Sequence, residues 1–251
     1  MSPDMVLEIT GLRKVFGGVN ALDGISLTVR SGEILGLIGP NGAGKTALLN
    51  TITGFYRANE GSIRFMDQEI SHLPLYRIGR LGIGRTFQNI RLFKRMSVLE
   101  NVMVADKAHI SRPMRSLFDI AGRRGGKGRA MELLDMFQLT AKADQPASSL
   151  SYGDARRLEI ARALAGRPAL LLLDEPAAGM NDAETEQLVQ DILLLRASVR
   201  AVVLIEHDMS LIRCLSDRIV AMDYGRSIAE GSAQQVLMHP EVRRAYLGDE
   251  V

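Results

Sequence analysis

The stretch GPNGAGKT, residues 39–46, constrains this chain more than any other. It fits G-x-x-x-x-G-K-T and follows the continuous apolar run EILGLIG (33–39), then leads into TALLNTITG. That order reads as buried strand, tight loop and helix, the context in which such a loop cradles phosphates. Glycines at 39, 42 and 44 let the backbone curl so that several N–H groups converge on phosphate oxygens. Lys45 reaches the β and γ phosphates, and the Thr46 hydroxyl ligates a bridging Mg²⁺. Gly39, Pro40, Asn41, Gly42, Ala43, Gly44, Lys45, Thr46 and Ala47 are therefore the candidate nucleotide-binding set.

A loop of this kind needs a parallel sheet behind it, and the chain supplies one. ALLLLDE (169–175), AVVLIEH (201–207) and DRIVAMD (217–223) are short apolar runs like the first, as expected of strands covered on both faces. Helical stretches separate them. Before the loop, ISLTVR alternates Ile25, Leu27 and Val29 with Ser26, Thr28 and Arg30, so residues 5–31 read as antiparallel strands with one wet face. Residues 95–165 carry apolar spacings of three to four with no strand between them, which predicts an inserted helical part. In DARRLEIARALA, Leu158, Ala161, Leu164 and Ala165 form one face, and Arg156, Arg157 and Arg162 lie largely off it. Gly166 ends that helix and Pro168 prevents its resumption. AGRRGGKGRA (121–130) reads as a mobile basic loop, solvated or resting on anionic lipid headgroups.

The 251 residues are enough for one large domain. The apolar runs are too short to cross a bilayer, and MSPDMVLEIT has no basic flank leading into an apolar stretch. Cys214 is the single cysteine, which suits a reducing cytosol, and with four scattered His it forms no metal-binding pattern. A net charge of +2 argues for no nucleic-acid partner.

LLLLDEP (170–176) ends a buried strand in two carboxylates, where open α/β sheets place their ligands. Asp174 is suited to hold Mg²⁺ and Glu175 to align the attacking water. Gln88 stands where the α/β part gives way to the helical part, and His207 follows the strand AVVLI. Phe16 is a candidate to stack on a base. A further helix start, LSYGD (150–154), offers the Ser151 hydroxyl and the bare backbone of Gly153 as a second anion site.

These pieces, in this order, resemble the ATP-binding cassette (ABC) ATPases over nearly the whole chain. GPNGAGKT corresponds to Walker A, Gln88 to the Q-loop, LSYGD to the signature, LLLLDEP to Walker B and His207 to the switch histidine. The resemblance implies a RecA-like P-loop NTPase fold: a mostly parallel α/β sheet, an antiparallel β subdomain and an inserted α-helical subdomain. It implies one nucleotide-binding domain, with residues 1–88 and 166–251 as the core and 89–165 as the signature subdomain. The implied cofactors are ATP and Mg²⁺, the metal held by Thr46, Gln88 and Asp174. Lys45, Gln88, Glu175 and His207 are the implied catalytic residues, with Phe16 at the adenine. Two such cassettes would pack head to tail, so that Ser151 and Gly153 act in trans on the nucleotide at the partner's Lys45.

GRTFQNIRLFKRMSVLENVMVA, DEPAAGMN, IEHDM and RRAYLG resemble one group within that family. It comprises the longer ATPase subunits of bacterial branched-chain amino-acid importers, with their extra length near residues 106–128. The resemblance implies a peripheral protein on the cytoplasmic face of the inner membrane. Its partners would be two permease subunits, a second cassette and, indirectly, a substrate-binding protein. Related cassettes for urea, aromatic acids or lipopolysaccharide share these motifs, and a soluble non-transport ABC ATPase is the remaining alternative. Three residues depart from the family pattern, the first being Tyr152, which stands for the usual first glycine of the signature and is tolerated in this subgroup. Asp154 replaces the usual glutamine and is expected to repel phosphate, so that Asp154→Gln tightens ATP-driven dimerisation. Asn181 replaces an aspartate and is expected to weaken coupling between the two sites.

Overall fold

The computed structural model describes residues 4–106 and 120–247. β1 (Met5–Phe16) and β2 (Val19–Arg30) form a long antiparallel hairpin. Ile25, Leu27 and Val29 are buried while Ser26 and Arg30 are exposed, so the period-two pattern sorts the faces as expected. β3 (Ile34–Ile38), buried at every position, runs into the phosphate loop and α1 (Lys45–Ile52). β4 (Glu60–Phe65) and β5 (Gln68–Glu69) complete an antiparallel sheet in the order β2-β1-β4-β5.

After α2 (Leu75–Leu81) and β6 (Ile83–Arg85) come α3 (Val98–Met103), α4 (Ile120–Met136) and α5 (Tyr152–Ala165), which pack on one another. The chain then alternates β7 (Leu170–Asp174), α6 (Asp182–Leu195), β8 (Ala201–Ile205), α7 (Met209–Leu215) and β9 (Arg218–Asp223). It closes with β10 (Arg226–Gly231), α8 (Ala233–Leu237) and α9 (Pro240–Leu247). The second sheet has the order β10-β9-β3-β8-β7-β6 and is parallel except for the antiparallel edge strand β10.

Two apolar clusters explain why the parallel strands are apolar throughout. Leu35, Leu37, Leu170 and Leu172 face α1 and the antiparallel sheet. Their alternates Ile34, Ile38, Leu171 and Leu173 face the opposite cluster, with Leu158 of α5 and Leu188 of α6. The strands β3, β7 and β8 all end on one edge, bringing their C-terminal residues into one place. Among the described residues no helix is long and apolar enough to cross a membrane.

One expectation needs correction. AGRRGGKGRA is no loop but lies inside α4. Gly122, Gly125, Gly126 and Gly128 each weaken a helix by roughly 1 kcal/mol relative to alanine. The C-terminal half of α4 offsets this by burying Ala130, Leu133 and Leu134, and a helix once nucleated extends at one hydrogen bond per residue. The expected extra length near 106–128 falls partly on residues 107–119, outside the described residues. α5 does stop at Ala165 with Gly166 as its cap, but Gly166 has φ −67° and the left-handed turn is taken by Arg167, at φ 50°.

Candidate functional site

The phosphate loop ends in a helix start built to be open. Gly44 caps α1 in a left-handed conformation, with no side-chain cap and no acid in the first turn. Its free amides and positive dipole end therefore favour an anion. The glycines are sterically required: a Cβ on Gly44 would stand 2.5 Å from the Ala21 carbonyl, and one on Gly39 would overlap the Met222 carbonyl. Buried Lys45 donates from Nζ to the carbonyls of Gly39 at 2.6 Å and Pro40 at 3.0 Å. Desolvation lowers its pKa, with the charges of Glu175 and Asp174 opposing that shift. Ala21 fixes the β1–β2 hairpin beside this loop, and Phe16 lies at the hairpin's tip, 41% exposed and edge-on to Tyr56 at 4.8 Å.

At the neighbouring strand ends the carboxylates take different surroundings. Asp174 is buried, its Oδ2 paired with Arg85 Nη2 at 2.8 Å. Glu175 turns out of β7 at φ 48°, an uncommon conformation for a non-glycine residue and frequent at functional sites. Its Oε2 accepts from Gln88 Nε2 at 2.7 Å, and its Oε1 lies 2.7 Å from His207 Nε2. Three residues from separate segments thus meet at one carboxylate. Behind them Glu206 accepts from the amides of Ala177 at 2.7 Å and His207 at 3.2 Å, and burial pushes its carboxyl above the usual range. Arg85 and Glu206 escaped the sequence reading. Glu206 had a signal, a charged residue directly after the buried strand β8, whereas Arg85 ends the short, only partly buried β6.

The donor set suits Mg²⁺, a hard cation that takes oxygen ligands. Thr46 is exposed at the helix start, Asp174 Oδ1 is free of the Arg85 pair, and Gln88 commits only its amide nitrogen to Glu175.

The signature helix α5 is anchored within its own chain. Ser151 caps it by accepting from the Asp154 amide at 3.2 Å. The Tyr152 hydroxyl donates to the Ala178 carbonyl at 2.8 Å, and its ring lies where a Cβ on Gly179 would press at 3.3 Å. The Gly153 amide donates to Glu184 Oε1 at 3.3 Å, a carboxylate that a side chain at 153 would strike. Asn181 caps α6 in a reciprocal box with Glu184, work that asparagine and aspartate do about equally well.

Asp154 also changes meaning. Its carboxylate pairs with Lys142 and with Arg157 at 3.3 Å, so the repulsion expected from sequence is locally neutralised. Asp154→Gln is accordingly expected to lower the unfolding free energy by about 1–3 kcal/mol, as loss of charged hydrogen bonds does. A urea melt reads that loss, and ATP-driven dimerisation should become no tighter. The helix's arginines, off its apolar face, are nonetheless held by partners within the chain. Arg156 is fully buried and donates to the carbonyls of Phe87 and Gln88, each at 2.7 Å, and to Glu159 Oε2 at 2.9 Å. Arg157 pairs with buried Asp191 at 2.9 Å, and Arg162 donates to the Arg91 carbonyl at 2.5 Å.

The family model for ABC transporters matches residues 22–178, from the hairpin through the C-terminal ends of β3 and β7 to the loop after β7. The chain belongs to the ABC ATPase family. It hydrolyses ATP. A second model, for branched-chain amino acid ATP-binding cassette transporters, matches residues 226–251. Among curated relatives, the high-affinity branched-chain amino acid transport ATP-binding protein BraF of Pseudomonas aeruginosa is 44% identical, covering 97% of this chain and 98% of its own. LivG of Escherichia coli, with the same description, is 42% identical over the same shares. The solved ADP conformation of MJ1267, an ATP-binding cassette of an ABC transporter, superposes with a TM-score of 0.84 at 32% identity, covering 98% of this chain and 99% of that one. The dimeric post-hydrolysis structure of the cassette MJ0796, bound to ADP and phosphate, gives 0.75 at 26% identity, covering 90% and 98%.

Proposed function

We propose that this ABC ATPase powers uptake of branched-chain amino acids through two permease subunits at the cytoplasmic face of the membrane. The observation that carries the mechanism is the Glu175 carboxylate, held at 2.7 Å by both Gln88 and His207. The match of residues 226–251 to the branched-chain cassette model, with the relatives' descriptions, supports the cargo class.

The residues divide the work. Phe16 stacks on adenine. Lys45 leaves the carbonyls of Gly39 and Pro40 for the β and γ phosphates, which bond to the open amides of the loop and α1. Thr46, Asp174 and Gln88 would hold Mg²⁺, which neutralises phosphate charge when bound. Glu175 aligns water and takes up its proton, while His207 holds the departing phosphoryl group. A second cassette presents Ser151 and Gly153 to the γ-phosphate in trans, and the Gly153 amide gives up Glu184 to do so. The dimeric MJ0796 structure supports the pairing of two cassettes. The helical part moves as one block, with Gln88 carrying the state of the γ-phosphate to the permeases docked there.

Affinity purification of the chain from its native membranes, with mass spectrometry, tests this reading. Two permeases and a second cassette are expected, together with leucine, isoleucine or valine uptake that fails when this chain is removed. Recovery of ribosomal or DNA-repair proteins, or of no membrane protein, would overturn the transport role.

A further inference from the structure

Gly39, the first residue of the phosphate loop, is held from both sides. Its carbonyl accepts from Lys45 Nζ at 2.6 Å, and its amide donates to the hydroxyl of Tyr246 at 2.7 Å. Tyr246 lies 207 positions away in the chain, near the end of α9. Gly39 needs such a distant partner. Its φ of 152° and the closeness of the Met222 carbonyl exclude any side chain of its own. A buried amide left unpaired is costly, so the tyrosine hydroxyl fills a real deficit.

The two bonds do not have equal lifetimes during turnover. Lys45 is drawn to phosphate when ATP enters, which releases the Gly39 carbonyl. The Tyr246 bond requires no such change. Between the loop and α9 lies a cavity of about 500 Å³, lined by Pro40, Asn41 and Gly42 of the loop and by Glu241 and Arg244 of α9. The outer turn of the loop therefore has room to adjust, while its base is tied to the helix. Burial raises the phenol above its ordinary pKa, so the hydroxyl stays protonated at neutral pH.

We infer that Tyr246 is a positioning residue of the nucleotide site, tethering the base of the phosphate loop to the C-terminal helix while Lys45 changes partners. The inference rests on the reading of residues 39–46 as the ATP phosphate site. It gives the C-terminal segment a part in nucleotide binding, expressed in affinity for ATP rather than in the chemical step.

The test uses the full chain and three variants. Tyr246→Phe keeps the ring and deletes the hydroxyl. It is expected to raise KM for ATP about fivefold, as loss of one hydrogen bond would, with kcat within about twofold of the parent. Its melting temperature should fall by a few degrees, as one unpaired buried amide would cause, and amide exchange in the peptide containing Gly39 should quicken. Val242→Ala loosens α9 through its buried contact without touching the loop, and should lower the melting temperature while leaving KM alone. An unchanged KM in Tyr246→Phe overturns the inference. So does an equal rise in Val242→Ala, which would assign the effect to helix docking. Lys45→Ala reports separately on the underlying reading: ATP binding that survives it unaltered would remove the loop from the phosphate site.

Discussion

Glu175→Gln is expected to reduce ATP turnover by about 10²–10⁴-fold while leaving ATP binding intact, the loss that follows removal of a general base. The substitution changes charge and little else. Glutamine keeps an oxygen to accept from Gln88 and a group of the same size opposite His207, so the left-handed turn at position 175 faces no new strain. What it loses is the capacity to take a proton from water. With ATP bound and unhydrolysed, the two cassettes should remain closed on each other. Phosphate release at saturating ATP measures the loss, and size-exclusion chromatography with ATP and Mg²⁺ should show an accumulated dimer. Turnover near the parent's would remove Glu175 from the role of base. An unchanged melting temperature would show that the variant is folded.

Legibility in the sequence depended on how far a residue's determinants lie along the chain. The phosphate loop could be read because strand, glycines, lysine and helix are contiguous. The parallel strands could be read because burial on both faces leaves an unbroken apolar run, as at Leu170–Asp174. Glu175, Gln88 and His207 were each placed by local position, yet their meeting at one carboxylate depends on the order of β6, β7 and β8 in the sheet. The partners of Arg156 went unread because periodicity reports which face of a helix is apolar, not what stands opposite its polar flank. The carbonyls of Phe87 and Gln88 that receive Arg156 lie 69 and 68 positions away. Tyr246 appeared only within the motif RRAYLG, and its role had no local signal, since its partner is a backbone amide at the other end of the chain. In α4, burial by the second half of the helix overrode the composition of the first.

Arg156→Met is expected to cost about 3–5 kcal/mol of stability, the usual result of stripping the partner from a buried charge. Glu159 would remain 1% exposed, with the Arg91 amide at 3.2 Å and Arg162 at 3.9 Å as its remaining partners. Burial already pushes the Glu159 carboxyl above its ordinary range, with Arg156 chief among the charges opposing that shift, so the variant should drive it further towards the neutral acid. Adding Glu159→Leu removes the orphaned charge and should return much of the stability, because apolar replacement of a buried pair is often near neutral. Turnover should not return with it. The carbonyls of Phe87 and Gln88 would still lack their donor, and the segment that brings Gln88 to Glu175 would be untethered from the signature helix. Urea unfolding and phosphate release on the single and double variants separate the two contributions. Recovery of both stability and turnover in the double variant would reduce Arg156 to a charge partner. Recovery of stability alone would make it the link by which α5, carrying Ser151 and Gly153, and the Gln88 segment move together.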